Sequence, residues 1–132
     1  MPKIGIGIVG LDHWYWALGC AYNIAINPDA ELIAIAHLDE GEAKRVSTIY
    51  GAKTYYTDYH RLLENPKIDS IVVTTTTRMH SRVAMAAAKA GKDVLVGKPI
   101  ARTLKDADQI IEASEKAGTK LMAMAAGPLP GD

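Results

Sequence analysis

Residues 3–10 read Lys3-Ile4-Gly5-Ile6-Gly7-Ile8-Val9-Gly10, and Leu11-Asp12-His13 follow. The isoleucine-rich run over residues 3–9 predicts a strand, and Gly10 marks where it ends. Gly5, Gly7 and Gly10 match the pattern Gly-x-Gly-x-x-Gly. As a phosphate-binding motif that match is a decoy, because a diphosphate is met by the turn after a strand, and Gly5 and Gly7 lie inside it. Their expected service is to let a helix pack closely on the strand. Gly10 is the credible first glycine of a dinucleotide fingerprint, since the tight strand-to-helix turn starts there. In that frame the second and third glycine positions hold Asp12 and Tyr15. Side chains there keep the backbone from approaching a diphosphate as closely as glycine allows. Two like charges about 4 Å apart repel by ~4 kcal/mol at an effective dielectric of ~20. Asp12 therefore either turns away, capping the following helix, or weakens dinucleotide affinity.

Outward from this stretch, short β-branched runs alternate with longer segments of helical period. Strands are expected at residues 3–9, 31–36, 53–56, 69–74, 93–96 and 120–124. Helices are expected at 13–26, from the Asp39 N-cap to Gly51, at 58–64, at 79–90 with Gly91 as terminator, and from the Thr103 cap to Gly118. Val46, Ile49 and Tyr50 would form the buried face of the second helix; Leu104, Ala107, Ile110, Ile111 and Ala117 that of the last. Strand and helix in alternation predict an α/β fold: one domain with a doubly wound, parallel, six-stranded sheet of the Rossmann type, over residues 1–126. Ligands of such sheets bind at the carboxyl ends of the strands. Residues 127–132 read as an aperiodic tail.

The 132 residues suffice for one domain and are 48% apolar and 23% charged, ordinary values for a soluble globular protein. Fifteen Lys and Arg balance fifteen Asp and Glu, so no global field draws the chain to nucleic acid or to an anionic membrane. Any anionic ligand must be captured locally. The apolar run near the start stops at Asp12, far short of a membrane span. Cys20 is the sole cysteine, which fits a reducing, cytoplasmic setting. It reads as a small apolar helix residue rather than a nucleophile. No His and Cys spacing suggests a metal site. Trp14 and Trp16, beside the expected diphosphate turn, read as core or interface packing.

His37 and Asp39 follow the second strand, where an acidic side chain holds the adenosine ribose of NAD. Asp39 doubles as the cap of the next helix, and His37 is either a surface imidazole or a ribose contact. Thr74 to Thr77 close the fourth strand, where β-propensity alone can explain them or their hydroxyls can meet phosphate or ribose beside a helix N-terminus.

Four stretches together resemble the N-terminal, nucleotide-binding domain of the Gfo/Idh/MocA oxidoreductase family. They are Ile8-Val9-Gly10-Leu11; Tyr56-Thr57-Asp58-Tyr59 with Leu62-Leu63 and Asn65-Pro66-Lys67-Ile68-Asp69; Thr75 to His80; and Ala90-Gly91-Lys92-Asp93-Val94-Leu95-Val96-Gly97-Lys98-Pro99. The last two are the specific ones. The resemblance implies that NAD or NADP is bound by Gly10, Leu11, Asp12, His37, Thr75, Thr76, Thr77, His80, Gly97, Lys98 and Pro99. Thr76 stands where the family usually has proline. Gly97-Lys98-Pro99 stands where it has Glu-Lys-Pro, so the glutamate expected to help hold the nicotinamide ribose is missing. Lys98 is implied as the catalytic residue: it would contact the substrate hydroxyl and assist proton transfer while hydride passes to the nicotinamide.

Family enzymes carry a second, α/β domain that supplies the substrate pocket and the usual dimer contact. No stretch of these 132 residues corresponds to it. A small-molecule substrate, sugar-like or polyol-like, would then be handled only with such a domain or a partner chain, and a homo-oligomer is compatible with the pattern. Two other expectations stand beside the oxidoreductase domain: a non-catalytic nucleotide-binding or regulatory module, suggested by Asp12 and Gly97, and a truncated piece of a longer enzyme.

Overall fold

The structure, a computed structural model, describes residues 2–124. Six strands are present: β1 (Ile4–Val9), β2 (Ala30–Ala36), β3 (Thr54–Tyr56), β4 (Ser70–Val73), β5 (Asp93–Val96) and β6 (Leu121–Ala123). Five helices connect them: α1 (Trp14–Ile26), α2 (Glu40–Tyr50), α3 (Tyr59–Leu63), α4 (Thr77–Lys89) and α5 (Leu104–Ala117). The strands pair in parallel in the order β3-β2-β1-β4-β5-β6. Strand order therefore reverses between β1 and β4, the switch point at which doubly wound sheets open a ligand crevice.

Two apolar layers cover the sheet. On one face, Ile8, Leu32, Ile35 and Val72 meet Ala17, Ala21 and Ile24 of α1 and Val46 of α2. On the other, Val9, Ile33, Ile71, Val73, Val94 and Val96 meet Leu62 of α3, Val83, Ala84 and Ala87 of α4, and Ile110 of α5. Coverage on both sides explains why Leu32 to Ala36 are all buried, a continuous run rather than an alternating one.

Local chemistry sets the helix ends. The carboxylates of Asp39 and Asp58 accept from the backbone N–H groups of Glu42 and His60, and the Thr103 hydroxyl accepts from that of Asp106. Gly51 and Gly118 end α2 and α5 in the left-handed region. Helix α1 stops before Asn27-Pro28, as proline demands.

The strands match their expected positions to within two residues at either end, but three helical expectations need correction. Helix α4 starts at Thr77 rather than residue 79, which makes Thr77 its first residue. In α2, Ile49 is exposed, and the buried face is Ala43, Val46 and Ser47. In α5, Leu104 (86% exposed), Ile111 and Ala117 face outward, leaving Ile110 and Ser114 buried. Helix α5 lies at the sheet's edge and packs chiefly on α4, so only a narrow stripe is covered. The expected tail, residues 127–132, lies outside the described residues.

The two strand glycines serve different neighbours. A Cβ on Gly7 would sit 2.8 Å from the Leu62 side chain of α3, so this glycine does admit a helix. One on Gly5 would overlap the Lys67 carbonyl oxygen, so here the close neighbour is a loop. That loop is held from within by Lys92, whose buried Nζ donates to the carbonyl oxygens of Ile68 (2.6 Å) and Asn65 (3.1 Å).

Candidate functional site

The carboxyl ends of β2, β1, β4 and β5 lie side by side in that order, and every expected site residue follows one of them. Gly10 closes β1 at φ +88°, a conformation that favours glycine, and a Cβ there would come within 2.6 Å of Thr75 Cα. The turn is fastened on both sides. Gly10 N–H donates to Ala36 O of β2 (2.8 Å), and the buried Thr74 hydroxyl donates to Gly10 O (2.6 Å). His13 N–H donates to Thr74 O (3.1 Å), so the segment from Gly10 to His13 is tied to the end of β4.

Leu11 N–H donates to His37 Nδ1 at 3.1 Å. Accepting through Nδ1 requires the tautomer with its proton on Nε2. His37 is thus half-buried and clasps the Gly10 turn, a role outside both alternatives read from the sequence. The Asp12 side chain is exposed and caps nothing among the described residues: His13 occupies the N-cap position of α1, and its side chain makes no cap bond. Trp14 and Tyr15, the first residues of α1, have backbone N–H groups with no intrahelical acceptor. Trp14 is 64% exposed, which removes it from the expected core.

The threonines divide. Thr74 and Thr75 are buried, and the Thr75 hydroxyl donates to Thr76 O (3.0 Å), so neither hydroxyl is free as the sequence allowed. Thr76 is exposed at the N-cap position of α4, and Thr77 is half-buried. His80 is fully buried one turn further on. Its Nδ1 lies 2.8 Å from Pro99 O and its Nε2 3.2 Å from Thr75 O. It therefore reaches the crevice through two backbone carbonyls, and couples the loop after β4 to the loop after β5.

Gly97 ends β5, is buried, and donates its N–H to Val73 O (2.9 Å). Lys98 and Pro99 follow, both exposed and joined by a cis peptide bond. At the other end of the crevice, Asp39 caps α2. Glu42 is paired with Arg45 through contacts of 2.9 and 3.0 Å, and this guanidinium holds its carboxyl below the ordinary value. Cys20, on α1, lies away from these loops, and burial pushes its thiol up, which suits packing rather than nucleophilic chemistry.

Sequence reasoning did not find the His37 clasp, because its partner Leu11 is 26 positions away and carries no side-chain signal for it. Nor did it single out His13, whose ring stands 6.0 Å, edge to face, from that of His80.

Residues 4–125 match the family profile described as "Oxidoreductase family, NAD-binding Rossmann fold". The chain belongs to the Gfo/Idh/MocA oxidoreductase family. Among its most similar relatives, myo-inositol 2-dehydrogenase of Thermotoga maritima is 35% identical over 114 residues, 86% of this chain and 32% of that protein. The inositol 2-dehydrogenase/D-chiro-inositol 3-dehydrogenase of Lactiplantibacillus plantarum is 30% identical over 120 residues, 90% of this chain and 33% of that one. The crystal structure of a probable dehydrogenase from Thermotoga maritima superposes with a TM-score of 0.82 at 33% identity, covering 91% of this chain and 35% of the other. The chain thus spans about a third of the length of its Gfo/Idh/MocA relatives. The six-stranded sheet is the nucleotide-binding fold of that family.

Proposed function

We propose that this chain is the dinucleotide-binding part of an oxidoreductase that passes hydride between a nicotinamide cofactor and a hydroxyl of a sugar- or polyol-like substrate. The observation that carries the reading is Lys98: an exposed amine directly after β5, on a loop that His80 ties to the loop after β4. The substrate class follows from relatives named as inositol dehydrogenases.

The residues present fit the cofactor. The backbone N–H groups of Trp14 and Tyr15 at the start of α1 suit a diphosphate, and Gly10 lets the chain turn sharply beneath it. Thr76 and Thr77 offer hydroxyls at the start of α4. The Asp12 carboxylate opposes the diphosphate, but it is exposed, and solvent and salt reduce its effect. A bound nicotinamide supplies the hydride acceptor or donor. The role of Lys98 follows from the chemistry of the substrate, because a hydroxyl that loses hydride must also lose its proton. An ammonium beside it stabilises the developing charge, and the same group in its neutral amine form accepts that proton. Substrate orientation is assigned to a second domain or partner chain, since positioning is worth several kcal/mol of barrier. A cytoplasmic setting belongs to the same reading. The cluster Asp39, Glu40 and Glu42 at the start of α2 supports NAD over NADP, because a 2′-phosphate would be repelled there.

Calorimetric titration and thermal shift with NAD, NADH, NADP and NADPH test the reading. A ligand at a hundred times its Kd stabilises by about 2.7 kcal/mol, easily seen as a raised midpoint. If none of the four raises it at millimolar concentration, the dinucleotide reading fails.

Asp12 and Gly97 favour a second reading, a nucleotide-binding module without redox chemistry. It expects Lys98→Ala to leave both ligand affinity and biological role intact. Loss of turnover by that variant in an assembly with its substrate-binding part would eliminate it.

A further inference from the structure

The chain has four histidines, and the structure gives three of them ring partners. His37 Nδ1 accepts from Leu11 N–H, His60 Nδ1 bonds Asp58, and both nitrogens of His80 face carbonyl oxygens. His13 differs. Its Nδ1 is buried and has no hydrogen-bond partner among the described residues. A buried polar atom left in this state is destabilising, and such atoms in native folds call for an explanation. Neither usual structural explanation applies. His13 holds the N-cap position of α1 without capping through its side chain, and its ring is only half-buried, so it is not core filling.

Its surroundings say what the atom faces. His13 N–H is fixed to Thr74 O at the end of β4 (3.1 Å). Its Nδ1 lies 3.8 Å from the point a Cβ on Gly97 would occupy, so it looks across the end of β5 at the one position in that loop with no side chain. The ring is flanked by His80 at 6.0 Å and by Tyr15, stacked at 6.3 Å and itself 56% exposed. These contacts hold the imidazole at the junction of β1, β4 and β5, next to Gly97. In a doubly wound sheet the diphosphate crosses at the β1 turn and the adenosine ribose goes to the β2 side. The other half of a dinucleotide therefore lies over β4 and β5, where His13 stands.

We propose that His13 is a binding residue for the nicotinamide half of the dinucleotide, its Nδ1 bonding a ribose hydroxyl or the carboxamide across the space left by Gly97. The inference rests on the dinucleotide reading above and adds a residue to it. The orphaned nitrogen is then a site held ready for a polar group that the ligand brings.

The test uses two probes: NADH, and ADP-ribose, which shares everything with NADH except the nicotinamide ring. A third titration, with ADP, removes the nicotinamide-side ribose as well. Affinities are measured by calorimetry for the wild-type chain, His13→Ala and His13→Asn, the last keeping a polar atom near the position of Nδ1. The expected result is a tenfold or greater loss of NADH affinity in His13→Ala, ADP affinity within twofold of wild type, and recovery of NADH affinity to within threefold in His13→Asn. ADP-ribose following NADH identifies a ribose hydroxyl as the partner; ADP-ribose following ADP identifies the carboxamide. Equal losses for NADH and ADP, or no loss for either, overturn the inference while the dinucleotide reading stands. If His13→Ala does not fold, His13→Phe, which keeps a ring but has no Nδ1, takes its place with the same expected and overturning outcomes. If the wild-type chain binds neither NADH nor ADP, the dinucleotide reading itself falls and takes the inference with it.

Discussion

His80 joins two loops that the sequence keeps 24 positions apart: its Nδ1 lies 2.8 Å from the carbonyl oxygen of Pro99 and its Nε2 3.2 Å from that of Thr75. The ring has no exposure to solvent, so water cannot replace it. A neutral imidazole carries one N–H, so it donates to one of these two carbonyls, and truncation to Leu leaves that carbonyl without its donor, a loss of about 1–3 kcal/mol. His80→Leu is therefore expected to lower stability by about 1–3 kcal/mol in urea denaturation. Under the proposed function it also loosens the Lys98 loop. A variant as stable as wild type would show that the two contacts carry no weight.

Gly10 is the glycine on which the crevice turns, and it has two independent reasons to be glycine: φ of +88° and a Thr75 Cα that a Cβ would meet at 2.6 Å. Gly118 shares only the first, at φ +70° with open space around it. Gly118→Ala should cost about 1–2 kcal/mol, the ordinary penalty of a left-handed Cβ. Gly10→Ala should cost at least ~3 kcal/mol, because the neighbouring strand end must also move. Parallel denaturation of the two variants checks the difference, and equal costs would mean that the Thr75 loop yields freely.

These two residues also show how far the sequence can be read. Gly10 is legible because the turn after a strand and the need for glycine are both local, and the same holds for the caps at Asp39 and Thr103. Strand order follows from the alternation of elements, since β-α-β units admit few topologies. What stays hidden depends on contacts between distant segments. Nothing near His37 says that it will clasp Leu11, and nothing near Thr74 says that its hydroxyl will be spent on Gly10. The faces of α2 and α5 depart from expectation for a related reason: Ile49, Leu104 and Ile111 fit an apolar stripe by spacing, but the helices contact their neighbours along narrower lines.

A buried amine offers another check. Lys92 Nζ donates to Ile68 O at 2.6 Å and Asn65 O at 3.1 Å, closing the turn before β4 from inside the fold. Replacement by Met keeps the apolar stem and removes both bonds. Bonds from a charged donor are worth about 1.5–3 kcal/mol each, so Lys92→Met is expected to lose about 2–4 kcal/mol after relaxation. A loss below ~1 kcal/mol would place that turn's stability in its Asn65 side-chain contacts instead.

Acid should weaken the fold through exposed carboxylates. Asp58 accepts from the His60 backbone N–H and then from its ring, and these bonds hold its carboxyl below the ordinary 3.8. Lys53 does the same for Glu31, and Arg45 for Glu42. Because the folded values are depressed, each contribution is present above the unfolded-state value and is lost as pH falls through the folded one. The difference in thermal midpoint between wild type and Asp58→Ala should therefore be constant near neutrality and shrink below the ordinary carboxylate range. A difference that persists unchanged into acid would assign the effect to helix propensity rather than to the charged cap.

Cofactor preference follows from charge at the start of α2. Asp39, Glu40 and Glu42 cluster there, and the guanidinium of Arg45 is already committed to Glu42. A 2′-phosphate would bring about 1.5–2 further negative charges to that end of the crevice. A repulsion of only about 1.4 kcal/mol after screening is tenfold in affinity. NADH is therefore expected to bind at least about tenfold more tightly than NADPH at low salt, with the ratio narrowing as salt is added. Glu40 is the residue to vary, because Asp39 also caps the helix and Glu42 is paired. Glu40→Lys should bring the two affinities within about threefold of each other. Competitive titration of both nucleotides against both proteins checks this, and a wild-type chain that already prefers NADPH would rule out the carboxylate cluster as the selector.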